Sequence, residues 1–358
     1  MQIDFEKIRE KNIEEYGKGT RHLSYFADIY STRTHFIYEL VQNAEDALSR
    51  RRDNSHGYIH FDLHEDRLLV RHNGEPFVEK DILGICGIGE GSKIDDYTQI
   101  GKFGIGFKSV YAYTFFPQIH SRETHFEISR FVEPFELNTN ESPFMQADET
   151  CIVLPFDFTK PIPEWAFRDL ITQEQAVNEI GDALRNLGAR SLLFMKQITE
   201  IKWTLSDGTT GHFILKIEKE KQSHRLVTLN DGANVETWIV FRKTESLPDG
   251  KDNHNITVEV AFLIEDGKIR CAQNTELVVY FPTEKQTGLG FLIHAPFKTT
   301  KARDNIKSDD LANKRMIEIA AQLVADNLEY LCKMNLLDVQ SYLTFPLKPP
   351  TDGFFRPI

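Results

Sequence analysis

The residues best placed to do chemistry are the polar members of ELVQNAEDA, which runs from Glu39 to Ala47. Glu39, Asn43 and Asp46 fall at i, i+4 and i+7, so on a helix they form one stripe almost opposite the apolar residues. A solvated helix face is the plain interpretation. The later run IGKFGIGFKSVY favours a phosphate-binding site instead, because a glycine-rich loop that leads into an apolar helical pattern can offer backbone N–H groups to phosphates.

The glycine-rich region does not match the common phosphate-binding motifs. Eight glycines lie between Gly74 and Gly106, which is too dense for regular helix or strand interiors. Phe107 separates the last of them from Lys108, so the loop is one residue too long for a Walker A motif. The run GIGEG lacks the GxGxxG spacing, so glycine content alone does not support a dinucleotide fold.

Hydrophobic periodicity predicts the elements that position these residues. A helix is expected from Ser31 to about Arg52, with Ser31 or Thr32 as its N-cap. Two strands, Tyr58–Leu63 and Arg67–Arg71, should follow around a polar turn. Further strands are predicted at 125–128, 150–155, 198–205, 238–242, 256–264, 277–281 and 290–294, and helices at 176–195 and 310–331. A hairpin is expected to turn at Asp207-Gly208, and the proline-rich segment 346–358 to be a linker.

Composition limits the possible partners. The 358 residues carry a formal net charge of −12, which disfavours sequence-independent nucleic-acid binding by this segment. The four cysteines are far apart in sequence and predict reduced thiols rather than a zinc site or disulfides. No apolar run reaches the length of a membrane span, and no export signal is visible, so a cytoplasmic protein without membrane partners is expected.

Four motifs in order over about the first 155 residues resemble the GHKL ATPase superfamily. ELVQNAEDA resembles ExxxNAxDA, HNGEPF occupies the place of DxGxG, GKFGIGFKS resembles GxxGxGF, and ETCIVL resembles GTxIxL. The runs YELVQNAEDA, GSK and IGKFGIGFKSVY are most similar to the heat-shock-protein-90-like branch, which includes sacsin-type N-terminal ATPase modules. The resemblance implies an α+β protein with a Bergerat-fold α/β sandwich ATPase domain in residues 1–200 and an α/β transducer domain in 201–345. Residues 346–358 would then link to downstream domains.

The resemblance also gives the motif residues their roles. Glu39 would be the general base that polarises water for attack on the γ-phosphate of ATP, Asn43 would be a ligand of Mg²⁺, and Asp46 would face the nucleotide. Lys93 and Lys108 are candidate countercharges for the phosphates, and Thr150 would help to hold the adenine. The expected nucleotide-binding residues are Asn43, Asp46, His72, Asn73, Gly74, Ser92, Lys93, Gly101, Phe103, Gly104, Ile105, Gly106, Phe107, Lys108 and Thr150.

The second motif departs from the family pattern. His72 stands where the family has the Asp that accepts a hydrogen bond from the adenine amino group, and Pro76 replaces the second glycine. A neutral His or the carbonyl of Asn73 could accept that bond, although less strongly than a carboxylate. Either adenine is held differently, or affinity and base selectivity are reduced.

The run FLIHAPFKTTKARDNI resembles the transducer loop that carries a catalytic arginine. Arg303 matches that arginine, Lys301 is its neighbour, and Lys285 is a more distant alternative. The cluster could also be an ordinary soluble loop. An arginine finger adds positive charge as the phosphoryl transition state forms.

Three functions remain open from the sequence. The first is a Mg²⁺-dependent ATPase module whose lid closure drives homodimerisation through the N-terminal domain and moves downstream domains or partner proteins. The second is a nucleotide-binding switch or pseudo-ATPase, which His72 favours and Glu39 disfavours. The third is a sensor kinase, against which the transducer-like second half argues. Roles in the branch range from chaperoning to antiviral defence, so the resemblance does not select a process.

Overall fold

The protein is a mixed α+β protein with a large mixed β-sheet. The computed structural model describes residues 3–17, 33–53, 56–87, 107–137, 148–156, 163, 165, 171–249, 252–300, 305–346, 348 and 350–358. They form two compact units. Unit 1 contains the described residues up to Gly188 together with Lys196–His212, and unit 2 contains Ala189–Met195 and the described part of Phe213–Ile358.

Unit 1 combines four described helices with a mixed sheet. The helices are α1 (Phe5–Tyr16), α2 (Phe36–Ser49), α3 (Glu79–Cys86) and α4 (Gln173–Arg185). The strands are β1 (Gly57–Leu63), β2 (Arg67–His72), β3 (Gln118–Ser121), β4 (Thr124–Ser129), β5 (Glu133–Glu136), β6 (Thr150–Pro155) and β7 (Ile198–Thr204). Their order is β7-β1-β2-β6-β3-β4-β5, with β1 and β7 parallel and the other described pairs antiparallel.

Helix α2 lies against β1 and β7 through its apolar side. Ile37, Leu40, Val41 and Ala44 are almost completely buried, as their helical spacing predicts. A short 3₁₀ helix, Arg33–His35, precedes α2. The predicted helix is therefore confirmed with a later start, and its predicted caps at residues 31 and 32 lie outside the described residues.

A second short helix, α3, is fastened to the end of α2. Asp81 accepts a hydrogen bond from the backbone N–H of Val78 at 3.0 Å, which satisfies a free donor at the start of α3. The same buried carboxylate pairs with Arg50, the residue that follows α2. A side-chain pair therefore sets the position of α3, which the periodicity of the sequence did not predict.

Unit 2 is built mainly from antiparallel strands. They are β8 (Thr210–Glu220), β9 (His224–Asn230), β10 (Val235–Asp249), β11 (Asp252–Glu265), β12 (Lys268–Arg270), β13 (Glu276–Val279), β14 (Phe281–Gln286) and β15 (Leu292–His294), followed by helix α5 (Leu311–Lys333). The order is β14-β13-β15-β11-β10-β9-β8, with β12 beside β11 and with β13 parallel to β15. The α5 N-cap is Asp310, whose carboxylate accepts from the backbone N–H groups of Ala312 and Asn313 at 2.9 and 3.1 Å.

The C-terminal segment differs from the predicted linker. Phe355 lies in a 3₁₀ helix, Gly353–Phe355, and is completely buried in the apolar core of unit 2. Asp352 pairs with Lys285 at 2.7 Å. Residues of 346–358 that the structure describes therefore pack as part of unit 2, and Lys285 serves this packing. The two units interleave along the chain, because residues 189–195 and the described residues after His212, which lies within β8, belong to unit 2.

Most predicted strands are confirmed, and two elements are shorter than expected. Helix α4 ends at Arg185 instead of residue 195, because Gly188 has a φ of +68° and a 3₁₀ turn, Ala189–Leu192, follows. The strand predicted at 277–281 is broken at Tyr280, which has a φ of +65°. The predicted turn at Asp207-Gly208 is confirmed, with Gly208 at a φ of +83°. None of the helices within the described ranges combines the length and the apolar composition that a membrane-spanning helix needs.

Candidate functional site

The polar stripe of α2 is not a solvated face. Glu39 is only 1% exposed, while Asn43 and Asp46 are half-buried. His35 precedes Glu39 by one turn, and its Nδ1 lies 3.8 Å from a carboxylate oxygen of Glu39. A carboxylate is costly to remove from water unless other groups replace its hydration. The buried carboxylate of Glu39 thus lies one helical turn before the more accessible amide of Asn43.

Asp46 continues this stripe with a carboxylate that is poorly solvated. Burial raises its pKa to about 6, with a further contribution from the neighbouring charge of Glu45, and the nearby cation of Arg50 opposes the rise. Neither the side chain of Asp46 nor the amide of Asn43 forms a hydrogen bond to another residue in the described ranges. A ligand that brings an N–H, O–H or cation to this stripe would stabilise it.

The HNG segment meets the end of α2 through Gly74. The backbone N–H of Glu75 donates to the carbonyl oxygen of Ala47 at 3.1 Å. A Cβ atom on Gly74 would lie 2.6 Å from the Cβ of Ala47, so only glycine allows this approach. The first two sequence motifs are therefore adjacent in the fold.

His72 ends strand β2 beside this contact. It is 3% exposed, and burial together with the charge of Arg50 lowers its pKa to about 4, so the ring is neutral at pH 7. The backbone N–H of Gly74 donates to its Nδ1 at 3.1 Å. The proton of the neutral ring therefore resides on Nε2, and the side chain presents a donor.

The side chain of Asn73 already forms hydrogen bonds within the fold. Its side-chain oxygen accepts from the backbone N–H of Tyr58 at 3.0 Å, and its amide nitrogen donates to the carbonyl of His56 at 2.7 Å. Both polar ends thus hold the start of β1. The side-chain oxygen keeps one further lone pair, and the expected adenine contact by the Asn73 carbonyl stays a prediction.

Thr150 joins the fourth motif to the second. It pairs with His72 across β2 and β6, and it is buried. Its hydroxyl lies 2.7 Å from that of Ser121, which also accepts a hydrogen bond from the backbone N–H of Phe77 at 3.0 Å. Ser121 therefore ties the segment after Gly74 to β6, a role that no sequence motif had signalled.

Lys108 is corrected as a phosphate countercharge. Its side chain is 2% exposed, and Nζ donates to the carbonyl of Ile85 at 2.6 Å and to that of Phe131. Burial lowers its pKa to about 8, against the effect of nearby Cys86. Phe107 beside it is also buried, within the 3₁₀ helix Phe107–Ala112. Both side chains thus serve the interior of unit 1, and a 3₁₀ helix replaces the apolar helix expected after the glycine loop.

The remaining predicted site residues lie outside the described ranges. They are Ser92, Lys93, Gly101, Phe103, Gly104, Ile105, Gly106, Lys301 and Arg303. Within the described ranges, no group of three or more His, Cys, Asp or Glu side chains could hold a metal ion. The structure therefore brings together Glu39, Asn43 and Asp46 on α2, with the 72–74 segment and Thr150 at and beside its C-terminal end.

Sequence reasoning missed the residue that holds α2 in place. Glu45 is buried, and its carboxylate accepts hydrogen bonds from the backbone N–H groups of Lys196, Gln197 and Ile198. Three successive backbone N–H groups thus donate to one carboxylate, an arrangement that suits an anion. A single charged residue beside the polar stripe gave no local signal of partners 151 to 153 positions away.

Comparison with known proteins finds one family similarity that includes the first motifs. Residues 18–129 match the family model of the Sacsin domain. The match includes α2, the 72–74 segment and the whole glycine-rich region, but not Thr150.

Two much longer proteins resemble the chain over most of its length. Protein NO VEIN of Arabidopsis thaliana is 28% identical over 378 residues, which cover 97% of this chain and 13% of that protein. Sacsin of Homo sapiens is 21% identical over 375 residues, which cover 82% of this chain and 8% of that protein. The chain thus spans about a tenth of the length of these relatives.

Proposed function

We propose that this chain is a Mg²⁺-dependent ATP-binding and ATP-hydrolysing module of the GHKL type. The observation that carries the proposal is the buried carboxylate of Glu39, one turn before the half-buried amide of Asn43 on a single rigid helix. A side chain used only for solubility has no reason to be withdrawn from water. The match to the Sacsin domain over the same residues supports the proposal.

Glu39 and Asn43 have separate parts in the proposed reaction. Glu39 accepts the proton of the water whose oxygen forms a bond to the γ-phosphorus, while the bond from that phosphorus to the β–γ bridging oxygen breaks. General-base assistance of this kind contributes about a hundred- to ten-thousandfold in rate. The amide oxygen of Asn43 and the ATP phosphates would hold Mg²⁺, which neutralises charge on the phosphates when bound.

The rest of the proposal extends beyond the described residues. The glycine-rich loop from Gly101 to Gly106 would cover the phosphates, and Arg303 would add positive charge in the transition state, with Lys301 beside it. Unit 1 is proposed as the Bergerat-fold domain and unit 2 as the transducer. Lid closure would then drive homodimerisation and act on downstream domains or partner proteins, in a chaperone-like role.

A second candidate is a nucleotide-binding switch without turnover. It is favoured by His72, because a neutral ring replaces the carboxylate that the family uses at this position. In this alternative, ATP would order the protein as a structural ligand. Glu39 distinguishes the two candidates, since a binder that does not hydrolyse ATP has no use for a buried base.

Parallel measurements of ATP binding and phosphate release test the proposal. Glu39→Ala and Arg303→Ala should still bind ATP, while phosphate release falls by about a hundredfold or more. Asn43→Ala should weaken binding in Mg²⁺ about tenfold and leave weak binding in EDTA unchanged. Glu123→Ala and Arg356→Ala, at exposed positions in each unit, are the matched controls. Unchanged turnover in Glu39→Ala would contradict the ATPase, and binding without turnover by the wild type in its full-length protein would favour the switch.

A further inference from the structure

The hydrogen bond between Gly74 and His72 fixes which ring nitrogen carries the proton. A backbone N–H can only donate, so Nδ1 of His72 must present its lone pair at 3.1 Å. The ring lies among buried groups and beside the cation of Arg50, both of which oppose a second proton. The neutral tautomer with hydrogen on Nε2 follows from this geometry.

The contact that fixes the tautomer is itself held firmly. Gly74 is locked against the end of α2 by its close approach to Ala47 and by the bond from Glu75 to the Ala47 carbonyl. On the other side, His72 pairs in register with Thr150 of β6 and with Ile59 of β1. The imidazole therefore cannot exchange donor and acceptor roles by turning over without breaking the bond from Gly74.

We propose that Nε2–H of His72 donates a hydrogen bond to the nucleobase. The site would then favour a purine with an acceptor at C6, such as the keto oxygen of hypoxanthine or guanine. This inference rests on the proposed function, because His72 stands at the position where the resemblance implies a contact with the base. The amino group of adenine also donates, so the two groups do not match. Adenine can satisfy Nε2–H only through a ring nitrogen such as N1, and its amino group then contributes nothing at His72.

A donor at this position changes selectivity because hydrogen-bonding sites reject ligands that leave their polar groups unpaired. A carboxylate in place of His72 would accept from the adenine amino group and repel a keto oxygen. The wild-type chain should thus discriminate little against the keto base, or prefer it. The chemical class of substrate becomes purine nucleoside triphosphates with a 6-keto group, with ATP as an accepted alternative.

Competition binding with three triphosphates tests the inference. ATP, inosine triphosphate and purine riboside triphosphate, which lacks a polar group at C6, would each displace a ribose-labelled fluorescent ATP from the wild type and from His72→Asp. The wild type should bind inosine triphosphate at least as tightly as ATP, and purine riboside triphosphate about as tightly as ATP. His72→Asp should shift the ratio toward ATP by about tenfold or more. The exposed substitution His64→Asp, in the turn after β1, controls for added charge.

The outcomes separate this inference from the proposed function. Wild-type binding of ATP tighter than that of inosine triphosphate, beyond the error of the measurement, would overturn the donor assignment and leave ATP binding in place. Failure of all three nucleotides to bind would overturn both. Nitrogen-15 NMR of the His72 ring supplies a reading that needs no nucleotide: a proton on Nε2 is expected, and one on Nδ1 would overturn the inference.

Discussion

The carboxylate of Glu45 accepts a hydrogen bond from the backbone N–H of Ile198 at 2.8 Å, and so joins the helix of the candidate site to the first residue of β7. Its other oxygen accepts from Lys196 at 2.7 Å. Glu45 lies between Asn43 and Asp46 on α2, so the same helix turn faces the proposed ligand on one side and this amide cluster on the other. The position of the site residues thus depends on a carboxylate outside the site.

Replacing Glu45 should therefore cost stability before it affects chemistry. Glu45→Gln removes the charge and turns one acceptor into a donor that faces backbone N–H groups. We expect the free energy of unfolding to fall by about 2–3 kcal/mol, the usual cost for a hydrogen-bonded charged group. Urea denaturation followed by circular dichroism measures the change. Glu123→Gln, at an exposed position in the same unit, should change stability by less than about 0.5 kcal/mol.

The buried ammonium of Lys108 predicts a gain of stability at alkaline pH. Its folded pKa of about 8 lies below the ordinary value of 10.5, because burial disfavours the charge. Between these values the unfolded chain binds more protons, so stability rises with pH. Relative to Lys108→Met, the wild type should gain about 3 kcal/mol between pH 7.5 and pH 10.5.

Denaturation of both proteins across that range measures the difference. Lys307→Met, which removes a lysine elsewhere in the chain, should retain the wild-type pH dependence. If wild type and Lys108→Met follow parallel curves, the ammonium of Lys108 is not held in the interior as the structure places it.

His120 and His125 predict a loss of stability in acid. Their Nδ1 atoms lie 3.2 Å apart, and burial, together with His125, lowers the pKa of His120 to about 4. The unfolded value is 6.5, so this contribution is complete above that value and is lost as the pH falls through 6.5 towards 4. Between pH 7 and pH 5 the loss should be about 2 kcal/mol.

NMR titration of the imidazole of His120 tests this directly, and His120→Gln should remove that part of the acid sensitivity. His64→Gln, at an exposed position, serves as the control. An ordinary titration near pH 6.5 for His120 would show that the pair is solvated.

The buried charge of Arg225 is expected to contribute strongly to the stability of unit 2. It donates to the carbonyls of Leu193 and Met195 at 2.7 and 3.1 Å, and its guanidinium lies 3.9 Å from the carboxylate of Glu259. Glu259 also lies 3.2 Å from Nδ1 of His294. Arg225→Met should lower stability by about 3–5 kcal/mol, because it leaves a buried carboxylate without its cation.

A double-mutant cycle separates this effect from lost packing. Arg225→Met with Glu259→Gln should be more stable than the sum of the single changes predicts, since both charges are then absent. Arg242→Met is a matched control, because Arg242 also contacts two carbonyls and a carboxylate but remains partly exposed. Its expected cost is about 1 kcal/mol. Equal losses at the two arginines would argue that burial of Arg225 has no special role.

Periodicity was informative where one element carries its own signal. The spacing of Ile37, Leu40 and Ala44 predicted the buried side of α2, and Asp207-Gly208 predicted a turn with a positive φ at glycine. It failed for helix α3, which depends on the distant pair between Arg50 and Asp81. It also overran the end of α4, where a local feature, the positive φ of Gly188, follows the helix.

The candidate site shows the same division. The sequence indicated that Glu39, Asn43 and Asp46 form one stripe. It could not show whether this face is solvated or whether the carboxylate of Glu39 is buried. The glycine-rich loop and Arg303, which lie outside the described residues, stay predictions from resemblance.

The sequence alone determined the local features of this protein: helix and strand periodicity, the order of four motifs and a polar stripe of three residues. These depend on geometry within a few residues, which repeats at 3.6 or 2 positions. Tertiary structure alone decided that Lys108 lies in the interior, that Glu45 meets three amides, and that His72 holds its proton on Nε2. Each depends on burial or on the direction of a backbone group, and therefore on how separate segments pack together.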